Sequence, residues 1–273
     1  MSYFNSLGLR KEPFSTSPDP EFLYRSSSHD TALKRLEIAI RLRRGLSVIF
    51  GDVGTGKTTL LRALLQAFQD EGDFIFHMIL DPSYKSEFQF LATLVRMFDI
   101  TPEFKSTLDF KESLQKYLYQ KGVEEHKTIV LLIDEGQKMD LENLEALRTL
   151  LNYETNEYKL LQLVIMGQAE LLPRMRRMRN FMDRISLKYT LNPLDQDETK
   201  ELIEFRLKQA GLAEPSAIFT DKAIALIYEY SQGYPRKIAM LCHDCLETIV
   251  MKEQAVVDAE TVKSLSAAQE KSL

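Results

Sequence analysis

The chain has 273 residues, 44% of them hydrophobic and 27% charged, which is enough for one large α/β domain and a smaller one without disulfide staples. Its formal net charge of −5, from 35 Lys+Arg against 40 Asp+Glu, excludes a protein that coats nucleic acid by bulk charge. The two cysteines, Cys242 and Cys245, cannot form a secreted disulfide framework, and no window is long and apolar enough to span a membrane.

The N-terminus, Met1-Ser2-Tyr3-Phe4-Asn5, lacks the basic start and apolar stretch of a signal peptide, so a cytoplasmic location is expected. Leu9 to Pro20 is punctuated by Pro13, Pro18 and Pro20 and reads as an extended arm or loop. Asp30 to Arg44 carries Leu33, Leu36, Ala39 and Ile40 at helical spacing. Arg41, Arg43 and Arg44 then suit a solvated, cation-capped helix end before Gly45. Leu46 to Phe50 is an apolar strand.

It runs into Gly51-Asp52-Val53-Gly54-Thr55-Gly56-Lys57-Thr58, which satisfies G-x-x-x-x-G-K-[ST], with helix-like Thr59 to Leu65 behind it. Strand, glycine turn and helix start are the context this phosphate-binding pattern requires. The glycines let backbone N–H groups close on a triphosphate, and the helix N-terminus adds partial positive charge. Lys57 would reach the β- and γ-phosphates and Thr58 would ligate Mg²⁺.

Phe74 to Leu80 reads as a buried strand, Phe88 to Phe98 and Phe110 to Tyr119 as helices. Thr128 to Ile133 is a strongly apolar strand that stops at Asp134-Glu135. Leu141 to Leu151 is helical, Leu160 to Met166 is a strand ending at Gly167-Gln168, and Leu187 to Leu191 is a fifth strand. Strands alternating with helices imply a parallel sheet covered on both faces. Beyond Pro193 strand signals stop, and helices are expected over Thr199–Ala210, Asp221–Tyr230, Pro235–Met251 and near Asp258–Leu265, with a frayed end from Ala267. Three segments follow: an arm and helix at 1–45, an α/β core at 46–192 and a small helical lid domain at 193–273.

Ligands of open parallel sheets bind at the carboxyl ends of strands. Asp134 is placed there to hold Mg²⁺ through water, and Glu135 to orient or deprotonate an attacking water. Gln168, at the next strand end, either bonds the γ-phosphate or that water, or is a plain polar terminus. The run Arg174, Arg176, Arg177 and Arg179 suits DNA, anionic lipid, a neighbouring subunit or a solvated helix face. Tyr24 and His29 simply pack or, as related folds imply, flank an adenine base. Cys242-His243-Asp244-Cys245 reads as packing in a helix rather than as a zinc or redox site, since no further ligands lie at suitable spacing.

In order, Gly51–Thr58, Ile133-Asp134-Glu135, Gln168 and Gly233-Tyr234-Pro235-Arg236 resemble the Walker A, Walker B, sensor 1 and sensor 2 elements of AAA+ ATPases. More narrowly, the chain resembles the ATPase module of ExeA/GspA-type secretion ATPases. That resemblance is carried by Pro13-Phe14-Ser15, Phe22-Leu23-Tyr24, Gly51 to Thr59, Leu150 to Asn156, Lys159 to Gln162, Gly167 to Leu171, Asp183-Arg184-Ile185 and Gly233 to Arg236. TnsC/TniB transposition regulators are more distant relatives. The resemblance implies a P-loop NTPase fold binding ATP or ADP through Gly51, Asp52, Val53, Gly54, Thr55, Gly56, Lys57, Thr58, Thr59 and Arg236. It implies Mg²⁺ at Thr58 and Asp134, and ATP hydrolysis using Lys57, Glu135, Gln168, Arg184 and Arg236. Arg184, with Arg179 as runner-up, would be a finger supplied to a neighbour in a ring or filament. A protein partner in a secretion or envelope complex, at the inner membrane, is the implied setting; ATP-dependent DNA binding is the alternative. Full-length secretion members of this kind also carry a transmembrane segment and a periplasmic peptidoglycan-binding domain, which fall outside these 273 residues.

Overall fold

The five strands of the computed structural model are β1 (Leu46–Gly51), β2 (Phe74–Ile79), β3 (Thr128–Ile133), β4 (Leu161–Gly167) and β5 (Ile185–Leu191). Its helices are α1 (Tyr3–Ser6), α2 (Ser27–Arg41), α3 (Lys57–Ala67), α4 (Glu87–Met97), α5 (Thr107–Tyr119), α6 (Leu141–Leu150), α7 (Leu171–Arg177), α8 (Gln196–Gln209), α9 (Asp221–Ser231), α10 (Pro235–Met251) and α11 (Ala259–Glu270). The structure describes residues 3–102, 105–178 and 180–270. They form two units. A sheet unit takes His29–Val53 and Leu60–Leu191; a helical unit takes the described residues before His29, the short stretch Gly54–Thr59, and those from Asn192 onward.

All pairings in the sheet are parallel, in the order β2-β3-β4-β1-β5. The three central strands are apolar runs because both of their faces are covered. Along β3, Ile129, Leu131 and Ile133 enter one core while Val130 and Leu132 enter the other, the two-residue alternation of a strand. The first core is closed by Phe90, Leu91 and Leu94 of α4, Leu114 of α5, Leu147 of α6 and Met175 of α7. The second is closed by Leu33, Leu36 and Ile40 of α2 and Leu60, Leu61 and Leu64 of α3. The result is the expected α/β arrangement of three layers, helix, sheet, helix.

Several local expectations change. Phe74 to Leu80 is an edge strand rather than a buried one: β2 is half-buried except at Ile79, and Leu80 is exposed. Its aromatic residues are covered on one side, with Phe68 tilted against Phe74 and Phe76 at ring distances of 4.7 and 5.3 Å. The arginines at the end of α2 are held, not merely solvated. Arg41 pairs with Glu71, and Arg43, at φ 48°, donates to Thr128 Oγ1 and the Gly122 and His126 carbonyls while lying over Tyr158. Helix α7 is an element that sequence pattern alone leaves out. Gln120–Glu124 continues α5 as a π-turn.

In the helical unit, Leu202, Ile203 and Leu207 of α8, Ile224 and Ile227 of α9, Ile238, Cys242, Leu246 and Ile249 of α10 and Val262 of α11 share one core. The N-terminal arm is part of it. Leu9, Phe14 and Phe22 are buried there, Arg10 N donates to the Ala210 carbonyl at 2.7 Å, and Phe14 meets Phe219 edge-on. The arm is extended but packed, because three apolar side chains at irregular spacing suffice to anchor it. The expected segment 1–45 is thus shared, its arm with the helical unit and most of α2 with the sheet unit. Helix α11 runs through Glu270, past the point where fraying is expected; residues 271–273 lie outside the described residues.

Candidate nucleotide site

The turn that follows β1 is shaped by glycine. Gly54 and Gly56 lie at φ 84° and 92°, a region that side chains bearing a Cβ rarely enter. Helix α3 then opens at Lys57, so the positive end of its dipole faces the loop. Thr55 and Lys57 are buried, Gly54, Gly56, Thr58 and Thr59 half-buried, Asp52 and Val53 exposed. Within the helical unit the loop meets the start of α10. Arg236 N donates to the Gly54 carbonyl at 3.2 Å, and a Cβ on Gly54 would stand 2.9 Å from the Arg236 Cβ. Arg236 itself is exposed at the head of its helix, after Pro235 at the first helical position. The preceding Gly233, at φ 72°, packs on Leu194, whose carbonyl oxygen would lie 1.9 Å from any Cβ there. The resemblance implies that Arg236 serves the nucleotide; in the structure its backbone lies against this loop.

The second cluster is built at the far ends of β3 and β4 in the sheet unit. Asp134 is buried, its backbone N donating to the Ile79 carbonyl at 2.8 Å and its Oδ1 accepting from Glu135 N at 2.9 Å. Glu135 sits in the left-handed region at φ 52°, ψ 36°, a conformation that costs a non-glycine residue about 1–3 kcal/mol. Its Oε2 accepts from Gln137 Nε2 at 2.7 Å, and Gln137 Oε1 accepts from Gln168 N at 3.0 Å. The turn is pressed onto β4. A Cβ on Gly136 would lie 2.5 Å from Ile165 Cγ2, and one on Gly167 2.8 Å from Leu171 Cδ2. Residues pairing across the sheet put Ile133 beside Ile165 and Phe50 beside Gly167, so Gly51, Asp134 and Gln168 emerge along the same edge. With β4 between β1 and β3, the ends of those two strands are about 10 Å apart.

Arg184 lies elsewhere. It immediately precedes β5, whose first residue pairs with Leu46 at the start of β1, so it occupies the opposite edge of the sheet, about 17 Å of strand away. Its Nε is buried and donates to no partner among the described residues. In the basic run, Arg174 donates to the Met139 carbonyl at 2.7 Å, Arg176 and Arg177 are exposed, and Arg179 lies outside the described residues. Tyr24 is tied by its hydroxyl to Glu201; burial, and then this bond, drives its pKa up, and His29 is buried in α2. Cys242 and Cys245 are buried free thiols, and burial pushes the Cys245 thiol up to about 12, which makes it a packing residue rather than a nucleophile.

Residues 40–175 match the AAA domain family model. Over 246 residues the chain is 37% identical to General secretion pathway protein A of Aeromonas hydrophila, covering 89% of this chain. The chain belongs to the AAA family. It spans 44% of the length of that relative, which is therefore a longer protein. Among solved structures, the Aeropyrum pernix ORC2 protein in its ADPNP-ADP complexes matches 95% of this chain and 72% of its own, with TM-score 0.70 at 18% identity. Cdc6p from Pyrobaculum aerophilum matches 94% and 70%, with TM-score 0.71 at 20% identity. These two likenesses establish the shared P-loop ATPase fold. What sequence reading missed in this AAA chain is Gln137, which ties the acidic turn to β4; the signal was Gly136, a glycine directly behind an acidic pair.

Proposed function

We propose that the chain binds ATP with Mg²⁺ and hydrolyses it, and that the cycle of binding and release drives or switches assembly of a secretion or cell-envelope complex. The observation that carries this reading is the β1 turn, with Gly54 and Gly56 left-handed and Lys57 opening α3. In it the backbone of Gly51–Thr59 binds the phosphates and Lys57 reaches the terminal ones. Thr58 and Asp134 are hard oxygen donors of the kind Mg²⁺ takes, and that ion supplies charge neutralisation on the phosphates. Glu135 accepts the proton of the attacking water, and Gln168 orients that water or the γ-phosphate. Arg236, placed beside Gly54 by α10, offsets charge on the transferred phosphoryl group.

Arg184, at the opposite sheet edge, serves the nucleotide of a neighbouring copy, so full turnover needs a ring or filament. The name of the Aeromonas relative supports a secretion setting. Among the described residues no helix is long and apolar enough to cross a membrane. This fits a module at the cytoplasmic face of the inner membrane. ATP-gated binding of duplex DNA, as in transposition regulators, is the second reading; the exposed Arg176 and Arg177 favour it.

The test pairs two variants. Lys57→Ala loses Mg-ATP binding in calorimetry. Glu135→Gln retains ATP and slows phosphate release by about 100-fold or more. Wild-type turnover in Glu135→Gln would remove Glu135 from its role. Salt-sensitive duplex binding that requires ATP would bring the second reading forward.

A further inference from the structure

We infer that Gln137 is a positioning residue for Glu135, making the orientation of that carboxylate depend on the end of β4. This rests on the hydrolytic reading above. The Gln137 carboxamide has one donor end and one acceptor end, and both are committed. Nε2 donates to Glu135 Oε2 at 2.7 Å, and Oε1 accepts from Gln168 N at 3.0 Å. The network itself fixes which end is which, because a backbone N–H needs an acceptor and a carboxylate needs a donor. Glu135 cannot relax freely, since its backbone is left-handed at φ 52°. Gly136 and Gly167 remove the Cβ atoms that would push the turn off β4: the nearest neighbours would be Ile165 Cγ2 at 2.5 Å and Leu171 Cδ2 at 2.8 Å. The amide therefore spans a gap held closed by packing.

The consequence is chemical. One oxygen of Glu135 is occupied by Gln137, which leaves Oε1 as the oxygen that takes the water's proton. A side chain with free rotation would present either oxygen over a wide arc. Misplacing a catalytic group by an ångström costs about 100-fold in rate. Gln168 enters the same chain through its backbone, so a shift of the β4 end on phosphate contact is passed to the base through a single amide.

Two variants of the full chain test this, each first checked for an unchanged melting curve and unchanged Mg-ATP affinity. Gln137→Ala is expected to lower kcat about 10- to 100-fold with KM for ATP within about twofold. Gln137→Glu keeps an acceptor for Gln168 N but turns a carboxylate instead of a donor toward Glu135, so kcat should fall at least as far as in Gln137→Ala, again with KM within about twofold. A merely structural role would lower the melting curve and leave kcat in place. If Glu135→Gln is inactive while either Gln137 variant turns over at the wild-type rate, the positioning role is wrong and the hydrolytic reading stands. If Glu135→Gln itself turns over normally, the hydrolytic reading fails first.

Discussion

Two turns leave the same edge of the sheet, and they use glycine for opposite ends. After β1, Gly54 and Gly56 themselves carry the left-handed backbone, and the freedom goes to shaping the loop. After β3, the left-handed residue is Glu135, while the neighbouring Gly136 supplies close approach to β4. In the first turn the glycines relieve strain; in the second strain is retained on Glu135, the proposed proton acceptor. Strained backbone held by its surroundings is the arrangement expected where a functional group must point one way.

The harshest way to break this comparison is Gly136→Ala. Its methyl would meet Ile165 Cγ2 at 2.5 Å and the Met166 carbonyl oxygen at 3.1 Å, and the second of these belongs to a central strand that cannot give. The expected cost is about 2–4 kcal/mol, from overpacking and backbone displacement. Denaturant unfolding would measure it. A loss below about 0.5 kcal/mol would mean that the turn is not pressed onto β4 at all.

The first turn was legible in the sequence and the second only by halves. A phosphate loop is written in contiguous residues, with the glycines, the lysine and the flanking strand and helix all visible at once. Asp134 and Glu135 were legible for the same reason, as acids at the end of an apolar run. Gln137 was not, because its partner Gln168 is 31 residues further on and only the pairing of β3 with β4 joins them. The central strands were readable because burial on both faces makes them uniformly apolar. Strand β2 looked the same and is half-exposed, since aromatic and aliphatic residues cover an edge as readily as they fill a core. The packing of the arm went unread because Leu9, Phe14 and Phe22 follow no period, and Pro173 among arginines concealed α7.

A gentler perturbation sharpens the comparison by separating two acid effects. His77, on β2 beside β3, stacks on Phe98 at 4.3 Å, and its Nε2 is buried without a hydrogen-bond partner among the described residues. Burial lowers its pKa from 6.5 to about 4. The folded state thus holds the ring neutral, and unfolding takes up a proton between those values. Stability from this residue is complete above about pH 6.5 and is lost as pH falls toward 4. Its size is about 1–2 kcal/mol, since the ring is partly solvated. His77→Phe keeps the stack and should flatten melting temperature against pH over that range. The loss of turnover in acid should stay where it is. If it moves with the melting curve, it reports unfolding.

The smallest effect is the most discriminating. Asparagine enters the left-handed region more readily than glutamate, whose longer side chain offers no local hydrogen bond to the backbone there. Glu135→Asn should therefore relieve part of the strain at φ 52° while removing the carboxylate. Glu135→Gln removes the same charge but leaves the strain, so it is the proper reference. Asparagine is too short to keep the Gln137 contact, which offsets some of the gain. The net expectation is that Glu135→Asn is more stable than Glu135→Gln by about 0.5 kcal/mol, with both equally slow in phosphate release. Such a pair would put the stored strain and the proton acceptor in one residue, the trade of stability for activity that the β1 turn, with its glycines, does not make. Equal melting curves for the two would leave the strain at position 135 without a stability cost, and the contrast between the turns would rest on packing alone.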